Sequence, residues 1–245
     1  MSNYNLNNPL PGFQTAGRGM EWEKQLDNKV SQVMKSVYLK MFLALLVTSA
    51  VSLGIVAIAP ELLMFVATHT WVYWVVCLGE LGLVMAITGG INRFSSTTVS
   101  LLFYLFAIVN GLTFSIIFVA YSPVSILKTF LITAGTFGAM TIYGYFTTQN
   151  LARIGSLLVM ALFGLIICTI VNIFWKNGTF DWIISGVGVL IFIGLTAWDT
   201  QQIKRMAEAS PTATDGRLAT VGALSLYLDF INLFLYLLRF FGNRD

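Results

Sequence analysis

Charge is what this chain has least of. Asp, Glu, Lys and Arg make up 10% of its 245 residues, against 57% hydrophobic ones, where soluble domains carry about 25% charged residues. That leaves too little polar surface to cover a water-facing body, and a mean hydropathy of +0.79 excludes a soluble globular protein. The net charge of +3 is thin and scattered, which excludes a nucleic-acid surface built on clustered basic residues. Histidine occurs once, as His69, and cysteine twice, as Cys77 and Cys168. Zinc takes about four N, S or O ligands, so a zinc site is excluded. Both cysteines fall in apolar runs, where a thiol behaves as a small hydrophobe. Three of the five prolines, Pro60, Pro123 and Pro211, fall between apolar stretches, as suits a residue without an N–H.

What the chain has instead is long apolar runs. About 20 apolar residues span a bilayer as a helix, and seven such stretches can be read: 37–59, 71–91, 97–121, 124–147, 154–175, 182–203 and 219–241. The expected fold is all-α, a polytopic membrane protein of seven transmembrane helices over 37–242. Aromatic residues (Trp71, Tyr121, Trp175 and Trp182 among them) cluster at span ends, the depth amphipathic rings prefer. Residues 1–36 are polar and rich in Asn and Gly. They read as a flexible cytoplasmic tail rather than a secretory signal peptide, which needs a short apolar core and a cleavage site.

With the N-terminus inside, Arg18, Lys24, Lys29, Lys35, Lys40, Arg93, Arg153, Lys204, Arg205 and Arg217 lie on the inner side. Lys128, Lys176, Arg239 and Arg244 lie outside. The positive-inside rule favours that orientation, with the C-terminus outside; a six-span alternative with a re-entrant last segment would put the C-terminus inside. In a bacterium the membrane would be the inner one. Lys204–Leu218 reads as a hydrophilic loop. Rows of small residues (Gly82, Ala86 and Gly90; Gly135 and Ala139) suggest close helix contacts. Asn110 and Asn172 read as interhelical hydrogen-bond partners, and Lys40 and Lys128 as side chains that snorkel to the interface.

Against this apolar background two acids stand out, Asp199 in GLTAWDTQQIK and Asp229 in LSLYLDFINLF. A carboxylate at membrane depth costs at least ~2.5–3.5 kcal/mol, so each needs a partner, a cation or water. Ser225, Asp229, Asn232 and Tyr236 recur at helical spacing, and Arg239 extends the row. A helix with such a stripe belongs inside the bundle, with the other spans around it. If the two aspartates meet, they cannot both ionise cheaply; they would share a proton and titrate as a pair. Glu80, midway along the second span, is a candidate pathway acid, and Arg93 at that span's end could pair with an ionised aspartate. Calcium takes 6–8 hard oxygen ligands. Asp199 and Asp229 would give it a weak transit site rather than a storage site.

The segment ALSLYLDFINLFLYLLRFFG (223–242) closely resembles the terminal signature of the Bax inhibitor family, and Asp199 in TAWDTQQIK matches the aspartate of a second family pattern. The resemblance implies six spans around the last one and a pH-sensitive calcium leak. It implies that Asp199 and Asp229 form the proton-responsive pair, that Arg93 latches onto them, and that Glu80 lines the path. Glu80 and Arg93 are spaced slightly wider than the family pattern. The partners implied are the lipid bilayer, calcium ions and protons, and no cofactor.

A second reading, from a different class, is a regulator that binds and modulates another membrane protein such as a protease. Catalysis finds little support. An intramembrane aspartyl protease needs Gly-x-Gly-Asp, absent around Asp199 and Asp229; rhomboid-type chemistry needs Gly-x-Ser-Gly and a membrane histidine; a retinal protein needs a lysine in the last span. The expectation is a protein that is not an enzyme.

Overall fold

The computed structural model describes residues 11–91, 93–209 and 216–242, without the side chains of 11–20, 67, 70 and 73. Regular structure among them is helical: α1 (Pro11–Ile58), α2 (Pro60–Thr68), α3 (Thr70–Gly89), α4 (Ser96–Ser115), α5 (Ile117–Ala120), α6 (Pro123–Phe146), α7 (Ala152–Trp175), α8 (Gly178–Ala209) and α9 (Gly216–Phe241). Six spans are long and apolar enough to cross a membrane: α1, α4 continued by α5, α6, α7, α8 and α9. The span expected over 71–91 is α3, whose apolar stretch Trp74–Gly89 is shorter. The chain is an all-α polytopic membrane protein, six of its spans established by length and hydropathy.

Local chemistry sets several of these ends. Proline opens α2 and α6, where its missing N–H would have had no helical partner. Ser95 and Ser122 cap α4 and α6, their hydroxyls accepting from the backbone N–H of Thr98 and Ser125, which satisfies one orphan donor in each helix.

Four sequence expectations change here. The tail expected over 1–36 is helical from Pro11 onward, residues 1–10 lying outside the described residues. Val30, Val33 and Met34 are buried in the core, so an apolar face within a polar stretch docks that part of α1 on the bundle. The loop expected over 204–218 is helical up to Ala209 and again from Gly216. The span expected over 97–121 breaks at Ile116 into α4 and α5. At most of their positions the small-residue rows do not mark helix contacts as expected: a side chain at Gly82 or Gly135 would meet open space and Ala139 is exposed, while Gly90 is buried against Phe94 of the following turn. Close approach occurs elsewhere. A Cβ on Gly144 of α6 would strike the backbone carbonyl of Ala197 on α8, and one on Gly188 of α8 would strike the Tyr236 ring at 2.6 Å. A helix row with few side-chain atoms faces lipid as readily as protein; only the facing surface decides which.

Helix α9 lies at the centre, in contact with α1, α4, α6 and α8. In its most apolar window 67% of residues are buried, against 6–44% in the other five spans. At the other extreme α7 presents Leu157, Met160, Phe163 and Ile167 outward, which lipid accepts because its chains are as apolar as leucine. The helix ends gather in two groups. At one, Lys40 of α1 reaches Ser100 of α4 and Thr220 of α9, and Gln201 of α8 reaches Leu151 before α7. At the other, Asp181 of α8 meets Asn172 of α7 and Arg239 of α9.

Candidate functional site: two carboxyls and a polar chain

Helices α8 and α9 are antiparallel neighbours, joined by Ile203 against Gly222, Gly188 against Tyr236 and a stack of Trp182 on Phe240 at 4.9 Å. Asp199 is about 15 Å from the end of α8 and Asp229 about 20 Å from the start of α9, at 1.5 Å per residue. Antiparallel packing therefore brings two acids thirty positions apart to one depth. Their carboxyl groups lie within hydrogen-bonding reach of each other. Asp229 is buried (5% exposed), and its Oδ2 has no hydrogen-bond partner among the described residues; Asp199 is half-buried. Two bare carboxylates at this separation repel, whereas one proton between them makes a short, charge-assisted hydrogen bond. The arrangement can therefore hold one proton and one negative charge, and it can exchange that proton for a cation.

Glu80 stands apart from the pair. Its Oε1 accepts from Thr113 Oγ1 at 2.7 Å, and Asn110 is a second neighbour. Asn110 Oδ1 accepts from the Tyr227 hydroxyl at 3.0 Å, and that hydroxyl lies 2.7 Å from Thr48 Oγ1, which donates to the Ala107 carbonyl at 2.9 Å. The result is a polar chain through α3, α4, α9 and α1, with Tyr227 fully buried between Phe103 and Phe106, edge to face with each. Removing its hydroxyl takes the donor away from Asn110 Oδ1 and leaves Thr48 with the Ala107 carbonyl alone. Tyr227→Phe is expected to destabilise by about 1–3 kcal/mol, the cost of an unsatisfied buried polar group, read as a lower melting temperature in detergent.

The rest of the expected stripe is less connected. Asn232 Nδ2 donates to its own helix at the Leu228 carbonyl, 2.8 Å. Tyr236 stacks on Phe192 at 5.8 Å, and Ser225 is half-buried. Asp229 and Tyr236 meet α8, so an inward-facing side is real, but the row is not one continuous hydrogen-bond path. Arg239 pairs with Asp181 at 3.5 Å near the surface. Arg239→Gln is expected to cost less than about 1 kcal/mol, with a melting shift that vanishes in high salt; a loss of several degrees at high salt would contradict this.

Arg93 is exposed in the turn after α3 and makes no ion pair among the described residues; the latch onto the aspartates is not formed in this conformation, because the turn holds the guanidinium outside the bundle. A basic group that does reach between helices is half-buried Lys40, whose Nζ donates to Ser100 and Thr220 at 2.6 Å each and to the Gly216 carbonyl at 3.4 Å. It ties α1, α4 and α9 together rather than only reaching for the interface. Asn110 and Asn172 are both interhelical partners as expected: Asn110 meets Tyr227 of α9, and Asn172 of α7 donates to Asp181 of α8 while also accepting from the Asn177 backbone. Sequence reading missed Tyr227, Thr48 and Thr113. An isolated hydroxyl on an apolar helix gives no spacing signal, and only the neighbouring helices show what it meets.

Comparison with known proteins shows the family. The family model described as inhibitor of apoptosis-promoting Bax1 matches residues 30–245. An uncharacterised protein of Borreliella burgdorferi is 50% identical over 67% of this chain and 72% of its own length. The inner membrane protein YbhL of Escherichia coli K12 is 45% identical over 68% of this chain and 73% of its own. A Rickettsia prowazekii protein, also uncharacterised, is 39% identical over 90% of this chain and 93% of its own. With a match that takes in both aspartates and nearly every span, the chain belongs to the Bax inhibitor family of multi-pass membrane proteins.

Proposed function

We propose that the protein is a passive, pH-sensitive calcium leak whose opening follows the proton shared by Asp199 and Asp229. One observation carries the reading: two carboxyl groups meet inside a helix bundle, and one of them is buried with an oxygen that no described donor reaches. A membrane chain keeps such charges where ions or protons pass. Calcium prefers 6–8 oxygen ligands, and two carboxyls offer at most four. Among the described residues no three His, Cys, Asp or Glu side chains stand together to hold a metal ion. The ion is therefore passed on rather than stored, with Glu80 as a second acidic station.

The end of the bundle that carries Lys40, Arg93, Arg153, Lys204, Arg205 and Arg217 is the more basic one, which favours the cytoplasm for it and hence a cytoplasmic N-terminus. The inner-membrane relative supports the same location for a bacterial chain. The test is calcium entry into liposomes that contain the purified protein and an entrapped indicator, at steps between about pH 5 and pH 8. Flux above that of protein-free vesicles, changing with pH, supports the proposal; protein-loaded vesicles no leakier than empty ones at every step would contradict it.

A further inference from the structure

Where α4 gives way to α5, helices α1, α4, α5, α6 and α9 surround a cavity of about 320 Å³, at the small end of the ~300–1,000 Å³ of small-molecule sites. Its walls are apolar, Phe114, Phe130 and Phe234 among them, and no charged side chain lines it. On its inner side α1 and α4 close up, since a Cβ on Gly111 would meet Val51 at 2.8 Å. Its rim includes Leu53 and Leu127, both exposed on the outer surface of the bundle. In a multi-pass membrane protein that surface is the lipid interface, and the cavity continues it inward.

Three hydroxyl residues of α1 reach the wall: Thr48, Ser49 and Ser52. Thr48 is committed to Ala107 and Tyr227, and Ser49 is exposed. Ser52 is different. It is 3% exposed, and its Oγ has no hydrogen-bond partner among the described residues. A helical serine can donate back to its own helix; this one does not. A neutral, apolar cavity with one unpartnered donor fits an uncharged alkyl chain that carries one acceptor. Ser52 lies six residues, about 9 Å at 1.5 Å per residue, before the end of α1 at Ile58. That places it in the last third of α1, toward the end opposite Lys40.

We infer that this cavity binds one acyl chain of a glycerolipid, held by a hydrogen bond from Ser52 Oγ to the ester carbonyl. The bound chain lies against Thr48, the first member of the polar chain that ends at Glu80, so its occupancy bears on the polar core of the bundle. The assignment of the cavity does not rest on calcium passage.

The test uses the full chain in phosphatidylcholine vesicles doped with a diester phosphatidylcholine that carries a diazirine on one acyl chain. Irradiation, digestion and mass spectrometry then map the label. Labelling of Thr48–Leu53 and Ile126–Phe130 is expected to exceed that of the lipid-facing Leu157–Phe163 by about fivefold, the factor one hydrogen bond contributes. Ser52→Ala, and in the wild type a dialkyl-ether probe without the carbonyl acceptor, are each expected to remove that excess. Equal labelling of the cavity and α7 segments would overturn the inference, and so would an excess that survives both changes.

Discussion

Asp229→Asn is expected to flatten the pH dependence of calcium flux. The amide keeps the size of the acid and can still hydrogen-bond to Asp199, but it cannot release a proton. The partner then titrates as a lone carboxyl, without the neighbour whose charge forced proton sharing. Asp199→Asn should act in the same way, since a pair titrates as one unit. If the wild-type flux changes about tenfold between about pH 5 and pH 8, the equivalent of one pKa unit of differential interaction, each variant should change less than about twofold. The double variant should do no more than either single one, because the first substitution has already removed the unit. Two single variants that each keep most of the dependence, with losses that add in the double, would mean two independent carboxyls.

Gly144→Leu is expected to give the largest structural effect. The backbones of α6 and α8 touch at this point, and the atom a Cβ would strike is the Ala197 carbonyl oxygen. A backbone atom cannot rotate out of the way as a side chain can, so the cost should lie at the upper end of the ~1–3 kcal/mol of overpacking. In a chain of this size that corresponds to a melting temperature lower by about 6–12 °C. Asp199 is two residues from Ala197 on α8, so the substitution should also alter the pH response. Gly135→Leu is the control: its Cβ would meet open space nine residues earlier on the same helix, and no change is expected. Equal losses in the two variants would show that α6 and α8 do not touch as described.

The contrast between these glycines shows what could be read from sequence. Gly135 and Ala139 form a small-residue row, yet they face outward; Gly144 belongs to no row and makes the contact. Spacing identifies a face and is silent about what lies opposite. The membrane class and most of the spans were legible, and Asp199 and Asp229 stood out as candidates because a charge inside an apolar run is costly wherever it points. The inward position of α9 was legible for a similar reason, as its polar stripe has no place in lipid. That Lys40 rather than Arg93 reaches between helices was not legible. Both lie near span ends, and only packing decides that Lys40 inserts among α1, α4 and α9 while Arg93 stays in the turn. The docked portion of α1 was obscured by its composition, since Val30, Val33 and Met34 are too few among polar neighbours to read as a buried face.

The most direct measurement is infrared spectroscopy of the reconstituted protein, titrated through neutral pH, with the band of protonated carboxyl groups as the readout. A shared proton should give one such band at neutral pH that is lost in Asp199→Asn and lost equally in Asp229→Asn, while Glu80→Gln leaves it in place. If the band persists unchanged in both aspartate variants and disappears with Glu80→Gln, the proton sits on the other acid, and the pair of carboxyls is not the sensor.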